Sequence, residues 1–169
     1  MAEAGILAED ERVELIAGEI VRMTPIGSQH AGCVNSLNRL LGRALADRGV
    51  VSVQNPIILD GSTEPQPDLA LLRFREDSYR TAHPQPADVL LVVEVADSSL
   101  EYDLRVKVPL YARAGIPEVW LVRLEDGCVE VYRDPGATGY REMRTFRPGD
   151  VVAPLAFPDL EVAIAAILG

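Results

Sequence analysis

Histidine occurs only twice in the 169 residues, as His30 and His83, and cysteine only twice, as Cys33 and Cys128. A histidine-based zinc site or a Ser-His-Asp triad therefore has little material to draw on. The cysteines are far apart and lack metal-ligand spacing, so reduced thiols in a cytoplasmic protein are the expectation. No stretch reaches the roughly 18 consecutive apolar residues of a membrane helix. The richest, Val89 to Ala96, is short and contains Glu94. Met1 to Glu11 carries Glu3, Glu9, Asp10 and Glu11 and no basic residue, the wrong charge for a signal or transit peptide. A Walker-type loop, a dinucleotide glycine fingerprint and a CxxC pair are all missing. Basic residues are also short: 16 Lys and Arg against 26 Asp and Glu, a net charge of −10. That balance opposes non-specific nucleic-acid binding by the surface as a whole, while leaving room for a local basic groove or a metal-bridged phosphate.

What is present is ordinary globular composition, 48% hydrophobic and 25% charged, in a length that suits one domain over residues 1–169. Val13 to Ile16 and Glu19 to Met23 flank Ala17-Gly18 and read as a hairpin. His30 to Gly49 reads as a helix, with Val34, Leu37, Leu41, Ala44 and Leu45 spaced by three and four, Ser28 as a candidate cap and Gly49 as its end. Val50 to Leu59 is strand-like but interrupted by Asn55-Pro56, and Leu69 to Phe74 is a further strand. Asp88 to Val95 is the strongest strand. Its alternation puts Val89, Leu91, Val93 and Val95 on one face and Leu90, Val92 and Glu94 on the other, apolar on both sides as in a covered central strand. Leu104 to Ala114 has a helical pattern troubled by Pro109, so the helix starts a little earlier or kinks there. Glu118 to Leu124 and Cys128 to Arg133 form a second hairpin through Asp126-Gly127. Tyr140 to Phe146 adds an edge strand, and Asp159 to Leu168 a short closing helix. Hairpins mixed with one strand–helix–strand crossover predict an α/β fold of the α+β type, a mixed sheet flanked by helices rather than a doubly wound one.

Three residues carry the chemistry. Glu94 sits late in a strand that is otherwise buried, and a buried carboxylate requires a cationic side chain, a metal, or solvent at the strand end. Asp68 follows Pro67 and opens the apolar run Leu69 to Leu72, so it is either a turn aspartate or a second acid held rigidly at the same end of the sheet. Two such anions repel, and a hard divalent cation relieves the repulsion, magnesium first and manganese as a substitute. Lys107 stands on the helix after the Glu94 strand. It forms either an exposed i,i+4 pair with Asp103 or an ammonium aimed at the two acids. Glu19 and His30 are weaker candidates, and His83 lies in a loop. Asp97-Ser98-Ser99 is a turn and helix cap. Arg39 and Arg43 lie on the polar side of the first helix, as a solvated face or as phosphate contacts.

The ordered set Leu15-Ile16-Ala17-Gly18-Glu19, His30, Gln66-Pro67-Asp68, Val92-Val93-Glu94-Val95, Asp103 and Lys107, and Gly115-Ile116-Pro117-Glu118-Val119-Trp120 resembles the Uma-type putative restriction endonucleases. These are a branch of the PD-(D/E)XK nuclease superfamily. The resemblance implies a restriction-endonuclease-like core whose acidic motif lies on two adjacent strands. It implies Asp68 and Glu94 as magnesium ligands with the Val95 carbonyl as a third oxygen, Glu19 and His30 as accessory groups, and DNA as substrate. The lysine of the standard motif stands two residues after the second acid, where this chain has Ala96; the resemblance implies that its role has moved to Lys107. Two functions follow: a metal-dependent endonuclease, or a catalytically inactive nuclease-fold module acting through protein contacts. Exposed hairpin edges such as Cys128 to Arg133 suit a homodimer or higher homo-oligomer.

Overall fold

The computed structural model describes residues 12–169; the acidic stretch Met1 to Glu11 lies outside them. A six-stranded sheet forms the centre, in the spatial order β3 (Gly49–Val53), β4 (Leu69–Arg73), β5 (Val89–Ala96), β6 (Glu118–Arg123), β7 (Cys128–Gly136) and β8 (Gly139–Phe146). Every neighbouring pair is antiparallel except β5 and β6. A parallel pair needs a crossover, and the helical segment between these two strands supplies it. The architecture is the mixed, helix-flanked α+β sheet that the sequence predicts.

Apolar side chains cover both faces of the sheet. On one face, α1 (Ser28–Leu45) lays Val34, Leu37, Leu41 and Leu45 against Leu69, Leu71, Leu91, Val93, Val95, Trp120 and Val122. The chain end closes this layer through β9 (Val151–Val152), β10 (Val162–Ala163) and α4 (Ile164–Leu168), which bury Val152, Val162, Ile164 and Ile167. On the other face, Ala70, Leu72, Val89, Val92 and Val119 pack with Val108, Tyr111 and Ile116 from the crossover. Val89 is on the opposite face from the one its alternation predicts. The β4–β5 register slips between Leu71 and Leu72, so that Leu71 pairs with Leu91 but Leu72 with Val89. The extra residue, Leu90, is a bulge, and a bulge resets the two-residue period.

Helix α1 begins two residues earlier than the expected His30 and ends at Leu45, before a 3-10 turn over Ala46–Arg48. Its N-cap is Gly27, and no side chain caps it, so Ser28 is its first residue rather than its cap. The crossover begins at Leu100 and is irregular in its middle: α2 (Leu100–Tyr102), a π-helical stretch Asp103–Lys107, then α3 (Val108–Arg113). The Val108 N–H donates to the Asp103 carbonyl five residues back. Pro109 has no N–H to offer the residue four before it, and the wider turn just upstream absorbs that loss. Asp103, Lys107 and Tyr111, spaced by four, share the inward face and are buried.

The hairpin β1 (Val13–Ile16) and β2 (Glu19–Arg22) forms as predicted, with Ala17 and Gly18 both at positive φ in the turn, the geometry that matches strand twist. It docks by reciprocal bonds between Leu15 and Glu64: Leu15 N–H to Glu64 carbonyl at 3.3 Å and Glu64 N–H to Leu15 carbonyl at 2.6 Å. This lays β1 over the end of the sheet where β5 finishes and β4 begins. The strand β7 is paired on both sides, so the free edge expected at Cys128 to Arg133 does not exist; the outer strand is β8. Among the described residues, no helix is long and apolar enough to cross a membrane.

Candidate active site

Antiparallel pairing of β4 with β5 aligns Leu69 with Val93. It therefore sets Asp68, just ahead of β4, beside Glu94 near the end of β5. The link is direct: the Val95 N–H donates to Asp68 Oδ2 at 2.9 Å. The same oxygen lies 3.1 Å from His30 Nε2 on the first turn of α1. With the carboxylate accepting, Nε2 carries the proton, and this bond raises the His30 pKa against the opposing effect of burial. Gln54 Nε2 donates to Asp68 Oδ1 at 3.3 Å, and the Gln54 N–H donates to the Asp68 carbonyl at 3.1 Å. Gln54 holds φ at +52°, a left-handed conformation uncommon for a side-chain-bearing residue. Asp68 is thus fixed from both sides before any ligand arrives.

Glu94 is tied to the crossover. Tyr111 Oη donates to Glu94 Oε1 at 2.6 Å, and Lys107 Nζ donates to the same oxygen at 3.2 Å. Lys107 Nζ also lies 2.8 Å from Glu14 Oε1 on β1. That oxygen accepts the Gln66 N–H at 2.8 Å, while Gln66 Nε2 donates to the Val13 carbonyl at 3.0 Å. Glu14, Glu94 and Lys107 are 3%, 3% and 4% exposed, so the exposed Asp103–Lys107 pair is not what forms. Asp103 is buried too and accepts from Ser99 Oγ at 2.6 Å.

Two carboxylates share one ammonium here, and the protonation states follow. Burial pushes the Glu94 carboxyl up to about 8, against the lowering effect of Lys107. Burial alone would lower Lys107, but the charges of Glu94 and Glu14 outweigh it and hold its pKa above the ordinary value. Burial likewise raises Asp103 to about 6, against the Ser99 hydrogen bond and Lys107. Lys107 is therefore a permanent cation, suited to stabilising negative charge and unsuited to accepting a proton.

These groups line one cavity of about 320 Å³, walled by β2 and the loop after it on one side and by Asp97 to Lys107 on the other. Asp68, Glu94, Val95, Lys107 and His30 all border it. Glu19 does not: it is exposed beside the hairpin turn, and the acid that β1–β2 brings to the site is Glu14. The accessory place given to Glu19 is corrected accordingly. Arg39 and Arg43 are solvated on α1, away from the cavity, and His83 is in an exposed loop. The sequence reading missed Glu14, Gln66 and Tyr111. Glu14 had a signal, an acid at an inward position of an otherwise apolar strand. Tyr111 stands four residues after Lys107, the spacing that puts two side chains on one helix face.

Among the described residues, no three His, Cys, Asp or Glu side chains converge as a ready-made metal cage. The residues present fit a looser arrangement. Asp68 and Glu94 offer two hard carboxylates at one end of the sheet, and Val95 follows Glu94 on the cavity wall. Magnesium is usually held by one or two carboxylates and keeps several waters. His30 Nδ1 and Tyr102 Oη, on two residues that border the cavity, are buried and have no partner.

No protein of curated function matches this chain. In fold, it is similar to a crystal structure of a putative nuclease belonging to DUF820 from Anabaena variabilis. The TM-score is 0.78 at 16% identity, covering 98% of this chain and 94% of that one. The family model described as Uma2, putative restriction endonuclease, matches residues 3–165. The chain belongs to that family.

Proposed function

We propose that this protein is a divalent-metal-dependent endonuclease that hydrolyses DNA phosphodiester bonds. The observation that carries the reading is the convergence of Asp68, Glu94 and Lys107 on one cavity wall, from two neighbouring strands and the helix that follows them. Asp68 and Glu94 would hold a magnesium or manganese ion, with the Val95 carbonyl as a further oxygen. When bound, such an ion neutralises phosphate charge and lowers the pKa of a bound water.

The chain's own residues do the rest. His30, Gln54 and the Val95 N–H hold the Asp68 carboxylate in one orientation, so that binding need not first order it. Glu14 and Glu94 keep Lys107 protonated, giving a fixed positive charge at the cavity wall for the charge that grows on the phosphate. Its place on the helix serves in lieu of the strand lysine, where Ala96 stands.

A second reading has its own observation. Lys107 is already closed onto Glu94 and Glu14, and a neutralised cluster of this kind is also what a purely structural ion network would be. Cleavage of labelled DNA, single-stranded and duplex, with and without Mg²⁺ or Mn²⁺, separates the two. The nuclease reading expects metal-dependent cleavage that Asp68→Asn and Glu94→Gln abolish while both variants remain folded. Cleavage independent of both variants, or none from the wild type, establishes the structural reading.

A further inference from the structure

The sheet ends on an open edge at β8. Among the described residues, β8 pairs with β7 alone, and no backbone bond outside that ladder reaches Gly139 to Phe146. Its outward N–H and C=O groups are therefore free to pair with a further strand. Native proteins guard such an edge with lysine, proline, a bulge or a very short strand. β8 has none of these: it runs for eight residues, with neither lysine nor proline, and keeps one register against β7 throughout. Arg141 to Thr145 are all exposed, and Met143, at their centre, is 54% exposed. Arg141 is held by Asp134 at 2.9 Å. Among the described residues, the side chains of Glu142 and Arg144 have no hydrogen-bond or ion-pair partner; Arg133, opposite Glu142 on β7, is turned to Glu118.

The sequence of this edge is complementary to itself. In an antiparallel pair, directly opposed residues share a face and a hydrogen-bonding direction. A strand that meets its own copy about a twofold axis is therefore centred on a residue, never between two. Centring on Arg141, Glu142 or Arg144 sets a charge against its own counterpart, and like charges directly opposed are destabilising. Centring on Tyr140 or Thr145, or beyond them, leaves three residues or fewer of the strand paired. Met143 is the centre that remains. Met143 then faces its counterpart, Glu142 opposes Arg144 on both sides of the axis, Arg141 opposes Thr145, and the ladder runs from Tyr140 to Phe146. The two unpartnered charges of the edge thus become two cross-strand ion pairs, an arrangement that stabilises a sheet. Independently of the chemistry at the cavity, the geometry points to β8 as a homodimer edge. Two copies pair β8 to β8 about a twofold axis at Met143, joining their six-stranded sheets into one continuous sheet.

Sedimentation velocity on the full chain over a dilution series is expected to show a monomer–dimer equilibrium. Glu142→Arg and Arg144→Glu are each expected to weaken the dimer about tenfold or more, because either one turns both ion pairs into repulsions. The two reversals together are expected to restore it. All these side chains are exposed, so the monomer stays folded, which its Tm checks. Met143→Cys, oxidised with glutathione disulfide, is expected to give a disulfide-linked dimer. Directly opposed residues stand about 4.5–5.5 Å apart between Cα atoms, within disulfide reach. Glu142→Cys, displaced from its own counterpart by two positions, is expected not to link, and Cys33 and Cys128 are buried. A monomer at every concentration overturns the inference. So does a dimer that the single reversals leave unchanged, or that the double reversal fails to restore, since the copies then meet elsewhere. A dimer in which Met143→Cys fails to link, or links no better than Glu142→Cys, overturns the register.

Discussion

Replacing Lys107 by methionine tests the electrostatic account of the site at its most sensitive point. The ammonium sits 2.8 Å from Glu14 and 3.2 Å from Glu94. All three side chains are at most 5% exposed, so solvent screens little of the interaction. Methionine keeps the stem and removes the charge, leaving two buried carboxylates without a counter-ion. Breaking a buried pair from one side costs about 3–5 kcal/mol. The carboxylates can escape part of that cost by taking up protons, and Glu94 is already inclined to do so with its pKa at about 8. A carboxyl whose folded pKa is raised contributes stability that is complete below its unfolded value, near 4.5, and lost as pH rises through the folded value. Without Lys107 the folded value of Glu94 climbs further. Lys107→Met should therefore be nearly tolerated at pH 5 and increasingly destabilised toward pH 9. The gap between the two conditions should be about 1.5 kcal/mol or more, since a tenfold change in the proton affinity of one carboxyl is worth about 1.4 kcal/mol. Urea denaturation of both proteins across this range measures it. A loss of stability that does not change with pH, or one below about 1 kcal/mol at pH 9, would refute the shared-ammonium account.

Two further perturbations follow from the same physics. Asp103 is raised by burial from 3.8 to about 6, so its neutral form is the one the fold prefers, and stability is lost as pH rises through that value. Asp103→Asn should stabilise the protein at pH 8 by roughly 2–3 kcal/mol, a gain that fades toward pH 4; thermal melts at the two pH values check it. Glu118 is fully buried and accepts from Trp120 Nε1 at 2.9 Å, from Arg133 at 2.8 and 2.9 Å, and from the Leu155 N–H at 2.6 Å. Glu118→Ala should cost about 3–5 kcal/mol in urea denaturation by orphaning these donors.

Glu94 and Glu118 show how far the sequence could be read. Both are acids in apolar strand runs, and periodicity alone does not tell one from the other. Glu94 faces a cavity with Lys107, whereas Glu118 is sealed among an arginine, an indole and a loop amide. The difference lies in contacts between residues far apart in the chain. The strands, the hairpins and the crossover were legible because alternation and turn residues are local signals. Two departures broke that local logic. The Leu90 bulge reversed the face of Val89, and a π-helical turn before Pro109 interrupts the regular helix that the pattern predicts. Tertiary packing decides both. Glu14 carried a local signal, an inward acid on an apolar strand, but Glu19, one hairpin turn away, looked the better acid.

The central claim is that Asp68 and Glu94 together hold a divalent cation. Anomalous diffraction from crystals grown with Mn²⁺ addresses it most directly. The account predicts a manganese peak bonded to both carboxylates in the wild type and absent from Asp68→Asn. A well-ordered site with manganese in the crystal, no peak between the two acids, and Asp68 still bonded to His30 and Val95 would contradict it.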